Sequence, residues 1–112
     1  MSILDHFSLK GRTALVTGGG RGSGASLALA LAEAGADVAI ADLDPATSAE
    51  TSEAIKKLGV RSLALQVEVT KADSVTAMIE SVLEAWGRLD VAVNSAGVAK
   101  RSPAEDMSEE DW

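Results

Sequence analysis

Five glycines fall within the eight residues Thr17 to Gly24, TGGGRGSG, and an acid, Asp42, closes the next apolar run. Glycine inside a helix costs roughly 1 kcal/mol relative to alanine, so this concentration needs a local reason. It is either a loose turn or a place where the backbone meets a ligand. Without Cβ atoms the chain can turn sharply and let a pyrophosphate lie against it. A helix beginning just beyond adds free N–H groups and the positive end of its dipole, so the chemistry offered is anion binding. Asp42 lies about 20 residues on, where a carboxylate can accept hydrogen bonds from both hydroxyls of an adenosine ribose. Gly20, Gly22 and Ala25 also fit the general G-x-G-x-x-A dinucleotide pattern. The candidate cofactor residues are therefore Gly18, Gly20, Arg21, Gly22, Ser23 and Gly24 at the phosphates, with Asp42 and its neighbour Leu43 at the ribose. A plain glycine turn and an ordinary strand-end acid are the competing readings.

Two other phosphate or nucleotide readings fit less well. A Walker loop requires Lys and then Ser or Thr after its last glycine, and here Ala25-Ser26 follow. A methyltransferase usually carries an acid just before its glycines, a place held here by Thr17.

These residues need elements to hold them, and the pattern supplies them in alternation. RTALVT (12–17) predicts a first strand ending at the glycines, and SGASLALALAEAGA from Ser23 predicts a helix, apolar almost all round and hence deeply buried, that stops at Gly35. DVAIAD (37–42) is apolar without alternation, as in a parallel strand covered on both faces. Asp44-Pro45 predicts an N-cap and first-turn proline for a helix running to Gly59, and RSLALQVEV (61–69) a third strand. Thr70 with Asp73 resembles a capping box, and Val75, Met78, Ile79, Val82, Leu83 and Trp86 form one stripe of the helix that follows, ended by Gly87. LDVAVN (89–94) predicts a fourth strand, then a loop through Pro103 and a helix capped by Ser108. The order β-α-β-α-β-α-β implies parallel strands joined by right-handed crossovers, an α/β fold of the Rossmann type with a doubly wound parallel sheet. Residues 1–112 read as a single dinucleotide-binding domain.

Composition excludes several classes. Seventeen acidic against ten basic residues give a net charge of −7, which argues against a nucleic-acid partner. There is no Cys, and the single His stands at position 6, so neither a thiol nucleophile nor a His/Cys metal site is available, and no metal is expected. No apolar run approaches the roughly 18 residues of a membrane span, and the opening MSILDHFSLKGR is too charged for a secretory signal, so no membrane partner and a cytoplasmic location are expected. The cluster Glu105, Asp106, Glu109, Glu110 and Asp111 reads most simply as a solvated helix start.

The motifs resemble those of the short-chain dehydrogenases/reductases. That family carries T-G-x-x-x-G-x-G after its first strand, matched by Thr17, Gly18, Gly22 and Gly24, and N-N-A-G after its fourth, matched by Asn94, Ser95, Ala96 and Gly97. The resemblance covers nearly the whole chain and implies further cofactor contacts at Glu68, Val69, Asn94, Ala96 and Gly97. Ser23 replaces a usual isoleucine, Ser95 the second Asn, and Glu68 a usual Asp. The resemblance also implies hydride transfer between a nicotinamide and a carbonyl or secondary alcohol, a sugar alcohol being one such substrate, and for the full-length protein a small-molecule substrate and a homo-oligomer. In the family a Tyr and a Lys, four residues apart and well beyond the fourth-strand motif, carry the proton chemistry. This sequence contains no Tyr, so no catalytic residue is assigned, and the chain reads as an amino-terminal, cofactor-binding half that is inactive alone. A strand at 89–93 without a following neighbour would leave an apolar edge and promote self-association. A non-catalytic dinucleotide-binding module or pseudoenzyme, and an interaction protein that keeps the fold without a nucleotide, are the alternatives.

The cofactor expected is NAD rather than NADP. Asp42 would face a 2′-phosphate, and each unit of like charge at about 4 Å costs on the order of 4 kcal/mol at an effective dielectric near 20, before screening. Arg21 stands where NADP-dependent members of the family often hold a basic residue, but an exposed pair returns only about 1 kcal/mol or less.

Overall fold

The run Thr13–Thr17 forms strand β1, buried at every position because helices cover both faces of the sheet. Residues 8–18, 22–68, 71–95 and 99–100 are described by the computed structural model. Helix α1 (Gly22–Glu33), strand β2 (Asp37–Asp42), helix α2 (Pro45–Lys56), strand β3 (Ser62–Gln66), helix α3 (Ala72–Trp86) and strand β4 (Val91–Asn94) follow, then a short strand β5 (Ala99–Lys100). The sheet order is β3-β2-β1-β4-β5, with the first four strands parallel. Alternate residues of β1, β2 and β4 serve two cores. Ala14, Val16, Val38 and Ile40 pack with Ala28 and Ala32 of α1 and Ile55 of α2. Leu15, Ala39 and Ala41 pack with Val75, Met78 and Val82 of α3 on the other side. The doubly wound arrangement expected from the sequence is present.

Helix α1 departs from the expectation of burial all round. Gly24, Ala28 and Ala32 are its buried positions, and Leu27 is 37 % exposed. These three recur every fourth residue and so form one stripe. A helix on a sheet buries only the side that touches it, and small residues there let α1 lie close while Leu29 and Leu31 pack at the flanks. Helix α2 begins as predicted, with the Asp44 carboxylate accepting from the Ala46 N–H at 2.9 Å and proline in the first turn, but leaves the helix at Lys56, before Gly59. Its buried face is unexpectedly polar, with Ser48, Thr51 and Ser52 beside Ile55. The Ser52 hydroxyl donates to the Ser62 hydroxyl at 2.7 Å, and Ser62 donates to the Val38 carbonyl at 2.8 Å. Hydroxyls can be buried here because each finds a partner.

Two further expectations are corrected. The cap of α3 is Lys71, with no side-chain capping bond, one residue later than expected; Thr70, and with it the Thr70–Asp73 box, lies outside the described residues. Ser74, one turn in, accepts from the Glu68 N–H at 3.0 Å through its hydroxyl. The fourth strand starts at Val91 rather than 89, and its outer edge is not left open. In place of a continuous loop, β5 pairs antiparallel with it, Ala92 opposite Lys100 and Val93 opposite Ala99. An antiparallel neighbour needs only a short connection, whereas a parallel one needs a long crossover. The apolar edge expected to drive self-association is thus paired at Ala92 and Val93. The predicted Ser108 cap and the acidic cluster around it lie outside the described residues.

The amino-terminal ends of the strands are joined by charge. The Asp90 carboxylate accepts from the buried Thr13 N–H at 2.8 Å and from Arg88 at 2.6 Å, with Arg12 at 3.5 Å. Burial pushes this carboxyl upward, but the Arg88 bond, the Thr13 N–H and the two guanidinium charges outweigh it and hold it below the ordinary carboxylate range. Arg61 similarly grips Asp37 at 2.8 Å and stacks 5.3 Å over the Trp86 ring. Asp90→Ala strands the Thr13 N–H and is expected to cost about 2 kcal/mol, read by urea unfolding. Because the folded carboxyl titrates below its unfolded value of about 4, its charge contribution is present above that pH and is lost as pH falls through the depressed value. Asp90→Asn should therefore flatten stability against pH in that acid window and leave its slope near neutrality unchanged. An unaltered acid limb would contradict this role.

Candidate functional site

Every described member of the predicted cofactor set lies at the carboxyl ends of the parallel strands, in the turns that leave them or in the first turn of α1. Thr17, last in β1, is in register with Ala41 of β2 on one side and Asn94 of β4 on the other. Strands lie about 4.8 Å apart, so Asn94 and the end of β2 are roughly 10 Å apart with the glycine turn between them. These ends are stitched together. The Gly18 N–H donates to the Ala41 carbonyl at 2.8 Å, the Ser95 N–H to the Thr17 carbonyl at 3.2 Å, and the Thr17 hydroxyl to the Val93 carbonyl at 3.3 Å. The chain from β1 crosses to the α1 side of the sheet, whereas the chain entering β4 arrives from the α3 side. The gap between β1 and β4 is therefore a topological switch point, the crevice where open α/β sheets bind ligands.

Glycine is required at two places in this crevice. Gly18 has φ +68°, and a Cβ there would collide with the Ser95 hydroxyl. Gly22, first residue of α1, has φ +62°, and among the described residues outside its own turn a Cβ there would meet no atom within 4 Å. Open space in front of a helix N-terminus whose first N–H groups lack intrahelical partners is a cradle for an anion. Ser23 is exposed in the first turn of α1, and Gly24 faces the sheet. Gly20 and Arg21 lie outside the described residues, as do Val69, Ala96 and Gly97.

On the far side, Asp42 closes β2, and one of its carboxylate oxygens accepts from the Asp44 N–H at 3.2 Å. Leu43 next to it is 63 % exposed, an apolar side chain turned to solvent at the same edge. Glu68 lies just past β3, its carboxylate 3.4 Å from the Lys71 ammonium. Asn94 is half-buried at the end of β4. Gln66 was not anticipated. It pairs in register with Asp42, and its side-chain amide donates to the Leu43 carbonyl at 3.2 Å. Only the strand register, which the sequence does not display directly, could have singled it out. Among the described residues no three His, Cys, Asp or Glu side chains are grouped to hold a metal ion, and no helix is long and apolar enough to cross a membrane.

The chain has recognisable relatives. The short chain dehydrogenase family matches over residues 12–112. The short chain dehydrogenase/reductase astE of Aspergillus oryzae is 42 % identical over 108 residues, which are 95 % of this chain and 41 % of that protein. A short-chain type dehydrogenase/reductase from Mycobacterium marinum superimposes with a TM-score of 0.80 at 36 % identity, covering 98 % of this chain and 43 % of its own. RhlG of Pseudomonas aeruginosa, solved as an NADP active-site complex, gives 0.75 at 36 % identity, covering 83 % and 37 %. The chain thus spans about two fifths of the length of the proteins it matches. The T-G-x-x-x-G-x-G turn, the fold and the match across residues 12–112 agree, and the chain belongs to the short chain dehydrogenase family.

Proposed function

We propose that residues 1–112 form a dinucleotide-binding domain of an NAD-dependent oxidoreductase of the short-chain type, acting between a nicotinamide and a carbonyl or secondary alcohol of a small molecule. The observation that carries this is that the Gly18 turn, the start of α1 at Gly22 and the Asp42 carboxylate all lie at the carboxyl ends of the adjacent strands β1 and β2. Gly18, Gly20, Arg21, Gly22, Ser23 and Gly24 would hold the pyrophosphate, Asp42 and Leu43 the adenosine ribose, Glu68 and Val69 the adenine side, and Asn94, Ala96 and Gly97 the nicotinamide side. The bound dinucleotide would supply the hydride acceptor or donor. This chain's residues bind and orient it: the first N–H groups of α1 face its phosphates, and Asp42 accepts from its ribose hydroxyls. The sequence holds no Tyr, so a protein of these 112 residues is expected to bind cofactor without turnover. The family's proton donor supplies roughly 10²–10⁴-fold where such acid/base catalysis operates. A homo-oligomeric full-length enzyme in the cytoplasm, with no nucleic-acid or membrane partner, completes the proposal. A non-catalytic module is not favoured, since the relatives are named as dehydrogenases and reductases.

NAD is the cofactor proposed, although RhlG was solved with NADP. A 2′-phosphate would bring nearly two negative charges against Asp42, with Asp44 two residues away. At about 4 Å the repulsion is on the order of 4 kcal/mol per charge before screening, against about 1 kcal/mol or less from Arg21. Calorimetric titration should show NAD binding at least about tenfold tighter than NADP, a difference of about 1.4 kcal/mol. Asp42→Ser should narrow or reverse this. Equal affinities in the unsubstituted protein, or a ratio indifferent to Asp42→Ser, would place the ribose elsewhere.

A further inference from the structure

The turn that carries Asp42 is held from the edge strand. Gln66 ends β3, the outermost strand of the sheet, and stands in register with Asp42. In a parallel pair such register partners project to the same face. The Gln66 amide donates to the Leu43 carbonyl at 3.2 Å, and the Val67 N–H donates to the Asp42 carbonyl at 3.0 Å. One oxygen of the Asp42 carboxylate accepts from the Asp44 N–H at 3.2 Å, and Asp44 in turn caps α2 through the Ala46 N–H at 2.9 Å. The carboxylate is therefore fixed to α2 by a side-chain turn, and the turn is fixed to the sheet by the Gln66 amide. Leu43 itself buries little, so packing contributes little to holding this segment.

We propose that Gln66 is a positioning residue that sets the discrimination between a dinucleotide with a free 2′-hydroxyl and one with a 2′-phosphate. This rests on the reading of Asp42 as the ribose carboxylate. A carboxylate held in place accepts well from ribose hydroxyls and cannot swing away from a phosphate. Releasing the Leu43 carbonyl frees the turn, so NAD loses an oriented acceptor while NADP loses a repulsion. The two affinities then move in opposite senses and the ratio narrows, whereas a merely structural role would weaken both together.

The test is calorimetric titration of the protein with NAD and with NADP, alongside thermal midpoints, for four substitutions. Gln66→Met keeps length but removes the donor, and Gln66→Leu repeats that loss with a different shape. Gln66→His keeps an N–H donor at similar reach, and Asp42→Ser removes the carboxylate. One neutral hydrogen bond corresponds to about fivefold in affinity. Gln66→Met and Gln66→Leu should weaken NAD about fivefold and leave NADP unchanged or tighter, with midpoints little altered. Gln66→His should retain most of the ratio. Where Asp42→Ser narrows the ratio, equal weakening of both cofactors or an unchanged ratio in Gln66→Met and Gln66→Leu overturns the positioning role while the Asp42 reading survives. A ratio unmoved by Asp42→Ser overturns that reading and the role of Gln66 with it.

Discussion

Gly22→Val should weaken dinucleotide binding about a hundredfold while leaving the fold in place. Two effects combine at this position. The φ of +62° is a left-handed conformation, costing an L-residue roughly 1–2 kcal/mol and a β-branched one more. Among the described residues outside its own turn, none comes within 4 Å of where the Cβ would stand, so the added methyl groups displace a ligand instead of overpacking a core. Gly22→Asn separates the two causes, because Asn visits the left-handed region readily yet still fills the cradle. Binding lost in both substitutions, measured by calorimetry with folding checked by circular dichroism, assigns the effect to occupied space. Asn with undiminished binding would show that the cradle does not receive the phosphates.

Ala28→Leu is expected to cost about 3 kcal/mol, the upper part of the usual overpacking range. Ala28 is fully buried in the middle of the Gly24–Ala28–Ala32 stripe, against a sheet face built from Ala14, Val16, Val38 and Ile40. Added methylenes can be accommodated only if α1 lifts from the sheet. Its first turn carries Gly22 to Gly24, so the lift also moves the cradle away from the end of β1. A displacement near 1 Å can cost on the order of a hundredfold in a positioned site. Cofactor affinity should therefore fall along with the thermal midpoint. The same overpacking on the α3 face, at Ala39, should lower stability with a smaller loss of affinity. Equal affinity losses at the two sites would contradict the coupling of α1 to the site.

Much of this was readable from residue order, for identifiable reasons. The uninterrupted apolar character of DVAIAD follows from burial on both faces, and the glycines between a strand and a helix mark the turn whatever the tertiary context. Asp44-Pro45 announced α2 because capping is a local interaction. What escaped depends on partners distant in sequence. The Ser48, Thr51 and Ser52 face of α2 carries no apolar signal, and its burial rests on a hydroxyl of Ser62 and carbonyls of β2 and β3. The Thr70–Asp73 pattern set the start of α3 one residue early, since the observed cap is Lys71. The strand β5 is only two residues long, too short for periodicity to show. Gln66 looked like one more polar strand end until register set it beside Asp42.

A dinucleotide lying along the carboxyl edge of the sheet should perturb the backbone that faces it. Amide chemical-shift mapping during titration of isotope-labelled protein with NAD tests this most directly. Large shifts are expected at Gly18, Gly22, Ser23, Gly24, Asp42, Leu43, Asn94 and Ser95. None beyond noise is expected at Arg12, Asp37, Arg61, Arg88 and Asp90, which occupy the opposite edge. Shifts centred on that opposite edge, or saturating NAD with the glycine turn and Asp42 unmoved, would contradict this placement.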